Sequence, residues 1–392
     1  MSLIRFEQVD LVFGKRPRQA LELLDAGLDR QAIFAHCGQL VAVAGADLEV
    51  ERGETCVLMG LSGSGKSSLL RCINGLNRIS RGRLWLEHDG RPLDLARCTP
   101  AQLKVLRTRR IAMVFQQFAL LPWLTVAENI GFGLELQGLP ATERRRRVAE
   151  QLELVGLGPW RDKRPEQLSG GMQQRVGLAR ALAMDADILL MDEPFSALDP
   201  LIRQQLQGEL LDLQRRLRKT IVFVSHDLDE ALKLGNRIAI MKDGRIVQHG
   251  RPEQILLAPA DEYVRSFVAH CNPLDALRGR SLMRPLNGST GEICLDAQLD
   301  CWLQLAADQR PLSARRGAEA LELQRWTPGQ PLDGLRPRPT LVDAGIALRD
   351  ALQVRHHSRH PLLLEEQGRL VGLLDEAELY RALRRQEAPA AD

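Results

Sequence analysis

The sequence predicts an α/β fold in which helices cover a mainly parallel β-sheet, followed by a smaller α+β module. Unbroken apolar runs recur up to about residue 270 and are typical of strands buried on both faces. These runs are Cys56–Met59, Ile111–Phe115, Ile188–Met191, Ile221–Val224 and Ile238–Met241. Helical patterns lie between them, as in Ser67–Leu76 and Ile202–Arg218. A glycine-rich turn also joins the first run directly to a helix, which is a βα connection.

The composition is that of an ordinary globular protein. The chain has 392 residues, with 44% hydrophobic residues, 26% charged residues and a net charge of +3, and this length suggests two or three domains. The charge is too small to indicate a nucleic-acid partner. The basic run Arg144–Arg147 precedes Val148, Leu152 and Val155 at helical spacing. We interpret it as the solvated face of a helix, with nucleic-acid or lipid contact as the alternative.

Cysteine usage and the N-terminus predict a cytosolic protein. The seven cysteines include no CxxC pair, which argues against a disulfide framework and against a zinc site. The sequence MSLIRFEQVDL lacks the apolar core of a signal peptide. No apolar stretch approaches the ~18 residues of a membrane span. If the protein works at a membrane, we expect it to dock on another subunit.

The pattern along the chain predicts two domains and a linker. The main domain covers residues 1–270 and includes a mostly helical segment at about 118–185. Residues 271–282 are rich in breakers and are expected to form a linker, and 283–392 a C-terminal module. The end of the module reads as helix Asp343–Val354, strand Pro361–Glu365, strand Arg369–Leu374 and helix Glu376–Arg384. Residues 283–340 contain Pro-rich stretches without a clear strand–turn–strand unit.

GLSGSGKSS follows the first apolar run and opens a helix, as the motif G-x-x-x-x-G-K-[ST] requires. It predicts a P-loop NTPase core. The expected phosphate-binding residues are Gly60, Leu61, Ser62, Gly63, Ser64, Gly65, Lys66, Ser67 and Ser68. Backbone N–H groups of such a loop and the helix N-terminus bind phosphate oxygens. Lys66 adds a point charge, and the hydroxyl of Ser67 is a ligand suited to Mg²⁺.

Polar residues follow three of the apolar runs. Asp192 is expected to hold Mg²⁺ through water, and Glu193 to act as general base for the attacking water. Gln116 is a candidate magnesium ligand and sensor of the terminal phosphate, and His226 is similarly placed. Taken singly, Gln116 and His226 are also compatible with ordinary polar residues at strand ends. SALD, ending in Asp199, follows the carboxylates closely.

LSGGMQQ is a second candidate anion site. Ser169 is placed as the N-cap of a helix, and Gly170 and Gly171 follow it. A glycine-flanked helix N-terminus binds anions. The chain already contains one phosphate loop, so the residues alone do not explain the second.

These motifs, in this order, resemble the nucleotide-binding subunit of an ABC transporter over about residues 1–269. GLSGSGKS is similar to Walker A, Gln116 to the Q-loop, LSGGMQQ to the signature and LLMDE to Walker B. SALD is similar to the D-loop and His226 to the switch histidine. The resemblance implies ATP and Mg²⁺, with Glu193 and His226 as the catalytic residues.

The resemblance also implies a head-to-tail dimer. In it, the signature of one copy, including Ser169 to Gly171 and Gln173, closes over ATP held by the other copy. Asp199 is included in the site as part of the D-loop. A closed, dry site with fixed donors stabilises transition-state charge better than a wet one. An aromatic residue before Walker A usually stacks on adenine in this family, and Phe13 is the first candidate, with Phe34 as its competitor.

Several stretches resemble the glycine betaine/proline/choline importers, above all the insert Lys15–Cys37. This implies permease partners, a periplasmic or lipid-anchored binding protein acting indirectly, and a place on the cytoplasmic face of the inner membrane. FALLPWLTVAENIGFGL resembles the importer segment that receives a permease helix, with Trp123 where importers often have His. The end of the chain resembles half of a CBS pair, which implies a degenerate regulatory or dimerisation module. A soluble ABC ATPase acting on ribosomes or nucleic acid is the alternative.

Overall fold

The computed structural model describes residues 2–196, 198–269, 271–274, 276–286, 291–296 and 300–384. The chain divides into two compact units, Met1–Arg251 and Pro252–Asp392. Within the described residues no helix is both long enough and apolar enough to span a bilayer. The predicted C-terminal module ends at 392, and its last residues, 385–392, lie outside the described part.

In the first unit the strands are β1 Ser2–Phe13, β2 Leu40–Glu51, β3 Thr55–Met59, β4 Arg81–His88, β5 Arg91–Asp94, β6 Ile111–Val114, β7 Ile188–Asp192, β8 Thr220–Val224, β9 Arg237–Lys242 and β10 Arg245–Gly250. The α-helices are α1 Pro17–Asp25, α2 Arg30–Cys37, α3 Lys66–Ile73, α4 Pro100–Val105, α5 Val126–Leu136, α6 Ala141–Leu154, α7 Gly170–Ala183, α8 Pro200–Leu217 and α9 Leu228–Leu234. A π-helical turn follows α4 at Leu106–Arg110, and 3₁₀ turns cover Leu95–Arg97, Gly158–Trp160 and Pro165–Gln167.

The central sheet has the order β10-β9-β3-β8-β7-β6, parallel except for the β9–β10 hairpin. All five predicted strands are present in it, although β6 ends at Val114, one residue before the predicted end. Every residue of β3, β7 and β8 is buried, as their continuous apolar character requires. The carboxyl ends of the parallel strands therefore share one edge, where ligands of open α/β sheets bind.

The first unit contains a second sheet that the sequence analysis did not predict. It is antiparallel, with the order β2-β1-β4-β5. Helices α1 and α2 form the insert predicted from its helical spacing, and they connect β1 to β2. Ala20 of α1 and Ile33 of α2 are buried against Val12, Val41 and Ala44, so the insert is anchored on the ends of these strands.

The expected helical segment contains α5, α6 and α7. Thr125 and Glu128 form a capping box that starts α5, which satisfies backbone donors of the first turn. Apolar faces of the three helices meet in a separate core that contains Ile130, Val148 and Val176. This core makes the segment a subdomain beside the sheet.

The helices of the second unit are α10 Pro252–Leu257, α11 Glu262–Val268, α12 Gly279–Leu282, α13 Leu348–Ser358 and α14 Glu376–Arg384. Its strands are β11 Arg284–Pro285, β12 Gly291–Asp296, β13 Cys301–Leu305, β14 Pro311–Arg316, β15 Glu319–Leu321, β16 Gln324–Arg325, β17 Thr340–Asp343, β18 Leu362–Glu366 and β19 Arg369–Leu374, and Leu332–Gly334 is a 3₁₀ turn.

Two sheets build the second unit, β11-β19-β18-β17-β16 and the meander β12-β13-β14-β15. The predicted strand–turn–strand–helix end is present as β18, β19 and α14. The helix predicted from Asp343 begins only at Leu348, because Asp343 ends β17 and accepts a hydrogen bond from Gly345 N in the turn that follows. Within the predicted linker, Leu277 is buried in the core of this unit and α12 follows it.

Candidate nucleotide site

The phosphate loop connects β3 to α3 in the way that its motif predicts. At Gly60 φ is +142°, and a Cβ would lie 2.2 Å from the carbonyl oxygen of Met241. At Gly65 φ is +102°, and a Cβ would lie 2.3 Å from the carbonyl oxygen of Ala42. Both backbone conformations and both close approaches require glycine. The loop is thus packed closely against β9 of the central sheet and β2 of the antiparallel sheet.

Lys66 is the first residue of α3, and its ammonium lies inside the loop. Its Nζ donates hydrogen bonds to the carbonyl oxygens of Gly60 at 2.8 Å and Leu61 at 2.9 Å. Burial lowers the pKa of Lys66, and the carboxylates of Glu193 and Asp192 oppose that shift. Among the described atoms, the buried Ser64 Oγ has no hydrogen-bond partner. A buried cation beside an unpartnered hydroxyl fits a phosphate group.

A buried carboxylate joins the phosphate loop to β7. Asp192 is fully buried, and its Oδ1 accepts a hydrogen bond of 2.7 Å from Ser67 Oγ. Its Oδ2 accepts a hydrogen bond of 2.8 Å from Arg71. A hydroxyl and a carboxylate are the oxygen ligands that Mg²⁺ prefers, so the donor set fits this ion.

Glu193 is held in an uncommon backbone conformation at the end of β7. Its φ is +50°, which is a strained value for a residue with a side chain. Its amide donates to Val224 O at 3.2 Å, and its carbonyl accepts from Gln174 Nε2 at 3.1 Å and from Ser196 Oγ at 3.1 Å. These bonds stabilise the strained turn and fix the direction of the side chain.

The side chain of Glu193 meets two of the other predicted residues. Its Oε2 lies 3.3 Å from Gln116 Nε2 and 3.6 Å from His226 Nδ1. Gln116 follows β6 and His226 follows β8, on either side of β7 in the sheet. The sheet therefore brings together three side chains that the sequence analysis assigned to one site.

Sequence reasoning missed three supporting residues. Arg71 pairs with Asp192, and its position four residues after Ser67 on one helix was the available signal. Gln174 holds the carbonyl of Glu193 from α7, and its place at the end of LSGGMQQ was the available signal. Glu230 accepts hydrogen bonds from Ser225 Oγ at 2.5 Å and Gln207 Nε2 at 2.9 Å. Burial raises the pKa of Glu230, and these two bonds oppose the shift.

The signature residues lie at the start of α7. Ser169 caps that helix, with Met172 N donating to its Oγ at 3.3 Å, and Gly170 has open space where a Cβ would stand. Gln173 donates its amide to the carbonyl oxygens of Pro165 and Leu168. Among the residues described, no hydrogen bond joins Ser169 or Gly170 to the phosphate loop of the same chain. Asp199 caps α8 by accepting from Ile202 N at 3.0 Å.

Both aromatic candidates for adenine are exposed. Phe13 ends β1 and is 41% exposed, whereas Phe34 lies on α2 of the insert and is 55% exposed. Phe13 pairs with Leu40 in the sheet, so both ends of the insert meet there. Because both side chains are exposed, exposure does not distinguish which of them stacks on adenine.

Known proteins are similar to this chain in sequence and fold. The ABC transporter family description matches residues 43–196, which include the phosphate loop, the signature and both carboxylates. The glycine betaine transport ATP-binding protein OpuAA of Bacillus subtilis is 49% identical over 281 residues, 72% of this chain and 66% of OpuAA. The chain thus spans just under two thirds of the length of this relative. The glycine betaine/carnitine/choline transport ATP-binding protein OpuCA of the same organism is 35% identical over 86% of this chain and 91% of its own length.

This chain belongs to the ABC transporter ATP-binding proteins. Its fold is also similar to the dimeric structure of the ATP-binding cassette MJ0796 in a post-hydrolysis state bound to ADP and Pi. That structure has 31% sequence identity and a TM-score of 0.54, and the match covers 63% of this chain and 98% of that one. The ABC ATP-binding protein described here therefore has a P-loop NTPase core of the ABC type in its first unit.

Proposed function

We propose that this ABC ATP-binding protein drives the uptake of a quaternary amine osmolyte of the glycine betaine, choline or proline betaine type. The side chains of Gln116, Glu193 and His226 lie close together beside the phosphate loop, which supports ATP hydrolysis as the energy source for transport. OpuAA and OpuCA bear names of transport proteins for such amines. Their names favour transport over a soluble ATPase that acts on ribosomes or nucleic acid.

ATP would bind with its phosphates on the loop from Gly60 to Ser68, next to Lys66. Ser67, Gln116 and Asp192 would hold Mg²⁺, since their hydroxyl, amide and carboxylate oxygens match its preference. When bound, Mg²⁺ neutralises charge on the phosphate oxygens. Arg71 keeps the Asp192 carboxylate in place through its 2.8 Å contact.

Glu193 would accept a proton from the attacking water. Its carboxylate is fixed by the backbone bonds of its turn, and general-base action needs such a fixed acceptor. His226 would hold the water and the γ-phosphate, because its ring lies 3.6 Å from the same carboxylate oxygen. We also expect adenine to stack on Phe13, with Phe34 as the competitor.

A second copy of the chain would complete the site. Ser169, Gly170 and Gly171 of one copy would close over ATP bound to the other, with Gln173 and Asp199 beside them. The first N–H groups of α7, at Gly170 and Gly171, suit this role, since a helix N-terminus attracts anions. MJ0796 was solved as a dimer, which supports the same arrangement here.

A groove beside the helical subdomain would receive a cytoplasmic helix of a permease. Its volume is about 310 Å³, and its lining includes Leu121, Phe132, Leu136 and Arg180. Phe132 and Leu136 are partly exposed there, and Trp123 is 66% exposed nearby in sequence. This docking would place the protein on the cytoplasmic face of the inner membrane, where a substrate-binding protein acts on it only through the permease.

The C-terminal module would be a degenerate CBS-like unit. The elements β17, α13, β18, β19 and α14 follow one another in the chain, and the three strands among them lie in one sheet. This succession supports the proposal. On this proposal the meander β12–β15 would stand where the partner half of a CBS pair is expected. We propose residues 1–270 as the ATPase domain, 271–282 as the linker and 283–392 as this module, with a regulatory or dimerisation role. The compact units divide earlier, after Arg251, and Leu277 of this linker packs in the core of the second unit.

Reconstitution tests the proposed function. The protein is co-expressed with the permease and binding protein from neighbouring genes, and uptake of labelled glycine betaine, choline and proline betaine is measured in vesicles containing ATP. We expect saturable uptake of at least one of them that stops in Glu193→Gln. ATP hydrolysis without uptake of any of the three, together with co-purification of ribosomes, would contradict it.

A further inference from the structure

The insert between β1 and β2 contacts the phosphate loop. Helix α2 begins at Arg30, and the Nη1 of that residue donates a hydrogen bond of 3.2 Å to the carbonyl oxygen of Gly63. Gly63 lies in the middle of the loop, in a left-handed conformation with φ of +77°. A cation from the insert is therefore attached to the loop that is expected to bind phosphate.

The insert is fixed firmly enough to transmit this contact. Ala20 and Ile33 anchor its two helices in an apolar cluster. At the end of α1, Asp25 accepts two hydrogen bonds from Arg81, at 2.7 and 2.9 Å. At the end of α2, Gln39 accepts from Arg16 N at 2.9 Å and donates to Cys37 O at 2.9 Å. The position of Arg30 is thus set by the body of the first unit.

The contact acts on a peptide that shapes the phosphate loop. In a trans peptide the C=O and the N–H point in opposite directions, so a donor on Gly63 O helps to fix the direction of Ser64 N–H. Here Ser64 N donates to Leu61 O at 3.2 Å, and Ser64 O accepts from Gly244 N at 3.0 Å. Arg30 and Gly244 therefore hold this part of the loop from outside.

The charge of Arg30 also matters. A cation on a carbonyl oxygen polarises the peptide and strengthens its N–H as a donor. In this structure that N–H closes the turn from Leu61 to Ser64, and the shape of the turn sets where the other N–H groups of the glycine-rich loop meet phosphate oxygens. Among the described atoms, Nε of Arg30 has no hydrogen-bond partner, so the contact with Gly63 is the one that a substitution of Arg30 removes.

We propose that the insert acts on the nucleotide site through Arg30, a positioning residue that holds the Gly63–Ser64 peptide, and with it the turn from Leu61 to Ser64, in the loop conformation that binds phosphate. The inference rests on the proposed nucleotide site. Because coupling between two equilibria is reciprocal, nucleotide binding must in turn stabilise the insert. The insert is then a nucleotide-responsive element, and Phe34, one turn after Arg30 on α2, moves with it.

The test compares Arg30→Ala with Arg18→Ala, an exposed arginine of α1 in the same insert. The dissociation constants of MgATP and MgADP are measured in the full-length protein. We expect Arg30→Ala to weaken both about three- to tenfold, as loss of one partly exposed charged hydrogen bond does. Arg30→Lys, which keeps the charge, should recover part of the affinity, and Arg18→Ala should bind like the parent protein.

Hydrogen exchange supplies a readout that a purely structural role would not move. In the parent protein, ATP should slow exchange of the amides of α1 and α2, and Arg30→Ala should lose that response while exchanging like the parent without nucleotide. Equal ATP affinity in Arg30→Ala and Arg18→Ala would overturn the proposal, and so would an unchanged response of the insert to ATP. Arg30→Gln repeats both measurements if the alanine variant does not fold.

Lys66→Ala separates this inference from the nucleotide site itself. We expect that variant to lose nucleotide binding. If Lys66→Ala binds ATP normally, the assignment of the phosphate loop is wrong. If Lys66→Ala fails to bind while Arg30→Ala behaves like the parent, only the role of the insert is wrong.

Discussion

The hydroxyl of Ser67 donates a 2.7 Å hydrogen bond to Oδ1 of Asp192, which joins the helix of the phosphate loop to the end of β7. The two residues are 125 positions apart in the chain. Arg71 holds the other carboxylate oxygen, so Asp192 is buried without being an isolated charge. An uncompensated buried carboxylate would be strongly destabilising. The same three residues thus stabilise the core and preorganise the proposed metal site.

Ser67→Ala removes one of the proposed magnesium ligands. We expect the Mg²⁺ concentration for half-maximal ATPase activity to rise by about 10- to 100-fold, the range for loss of a supporting partner at a metal site. ATPase activity titrated with Mg²⁺ at saturating ATP measures this shift. Ser266→Ala, an exposed serine of α11, should leave the titration unchanged. An unshifted curve for Ser67→Ala would exclude its hydroxyl as a ligand.

Glu193→Gln removes the proposed base while keeping the size of the side chain. We expect turnover to fall by about 10²–10⁴-fold, the contribution typical of general-base catalysis, with ATP still bound. Because the bound nucleotide is not consumed, the variant should accumulate as an ATP-dependent dimer in size-exclusion chromatography. Glu319→Gln, on the exposed strand β15, is the matched control. Near-normal turnover in Glu193→Gln would remove Glu193 from this role.

Gly170→Asp tests the proposed closure of one copy over the other. Nothing lies within 4 Å of a Cβ at Gly170, so the folded monomer should tolerate the substitution. The added carboxylate would oppose the phosphates of ATP on the second copy, because like charges in a closed site repel. We expect normal ATP binding by the monomer, with loss of dimerisation and hydrolysis.

Gly158→Asp places the same charge in open, exposed space elsewhere in the helical subdomain. It should keep both dimerisation and hydrolysis. Sustained hydrolysis in Gly170→Asp would contradict the site shared between copies. Loss of ATP binding in that variant would show instead that Gly170 acts within its own chain.

We expect the protonation of His249 to make the folding stability of this protein sensitive to acid. Burial, together with the charge of Arg237, lowers the pKa of His249 from its usual 6.5 to about 4 in the folded protein. The unfolded chain therefore binds more protons between these values, and stability is lost as the pH falls from 6.5 towards 4. Urea unfolding should show a slope of up to about 1.4 kcal/mol per pH unit from this group.

His249→Gln keeps a polar side chain and removes the titration. The difference in unfolding free energy between the parent protein and this variant should change steadily from pH 6.5 to pH 4.5. His36→Gln, an exposed residue at the end of α2, is the control. A constant difference across this range would show that the protonation of His249 does not affect stability.

The central sheet and the residues of the candidate site could be derived from the sequence because both depend on local patterns. Continuous apolar runs marked β3 and β6 to β9, and the polar residues that end those runs marked Gln116, Asp192, Glu193 and His226. The antiparallel sheet was missed because β1 and β2 carry mixed sequences, whose strand character depends on partners far along the chain. For the same reason the meander β12–β15 was not recognised among the Pro-rich stretches.

The sequence by itself determined the chemistry of this protein, since the phosphate loop, the two carboxylates and the signature consist of short motifs whose residue types set what they can bind. The tertiary structure decided which of these residues touch one another. Arg71 on Asp192, Gln174 on the carbonyl of Glu193 and Arg30 on Gly63 are contacts between distant segments. Such contacts depend on how strands and helices pack, and that packing results from burial of apolar surface over the whole unit rather than from any local pattern.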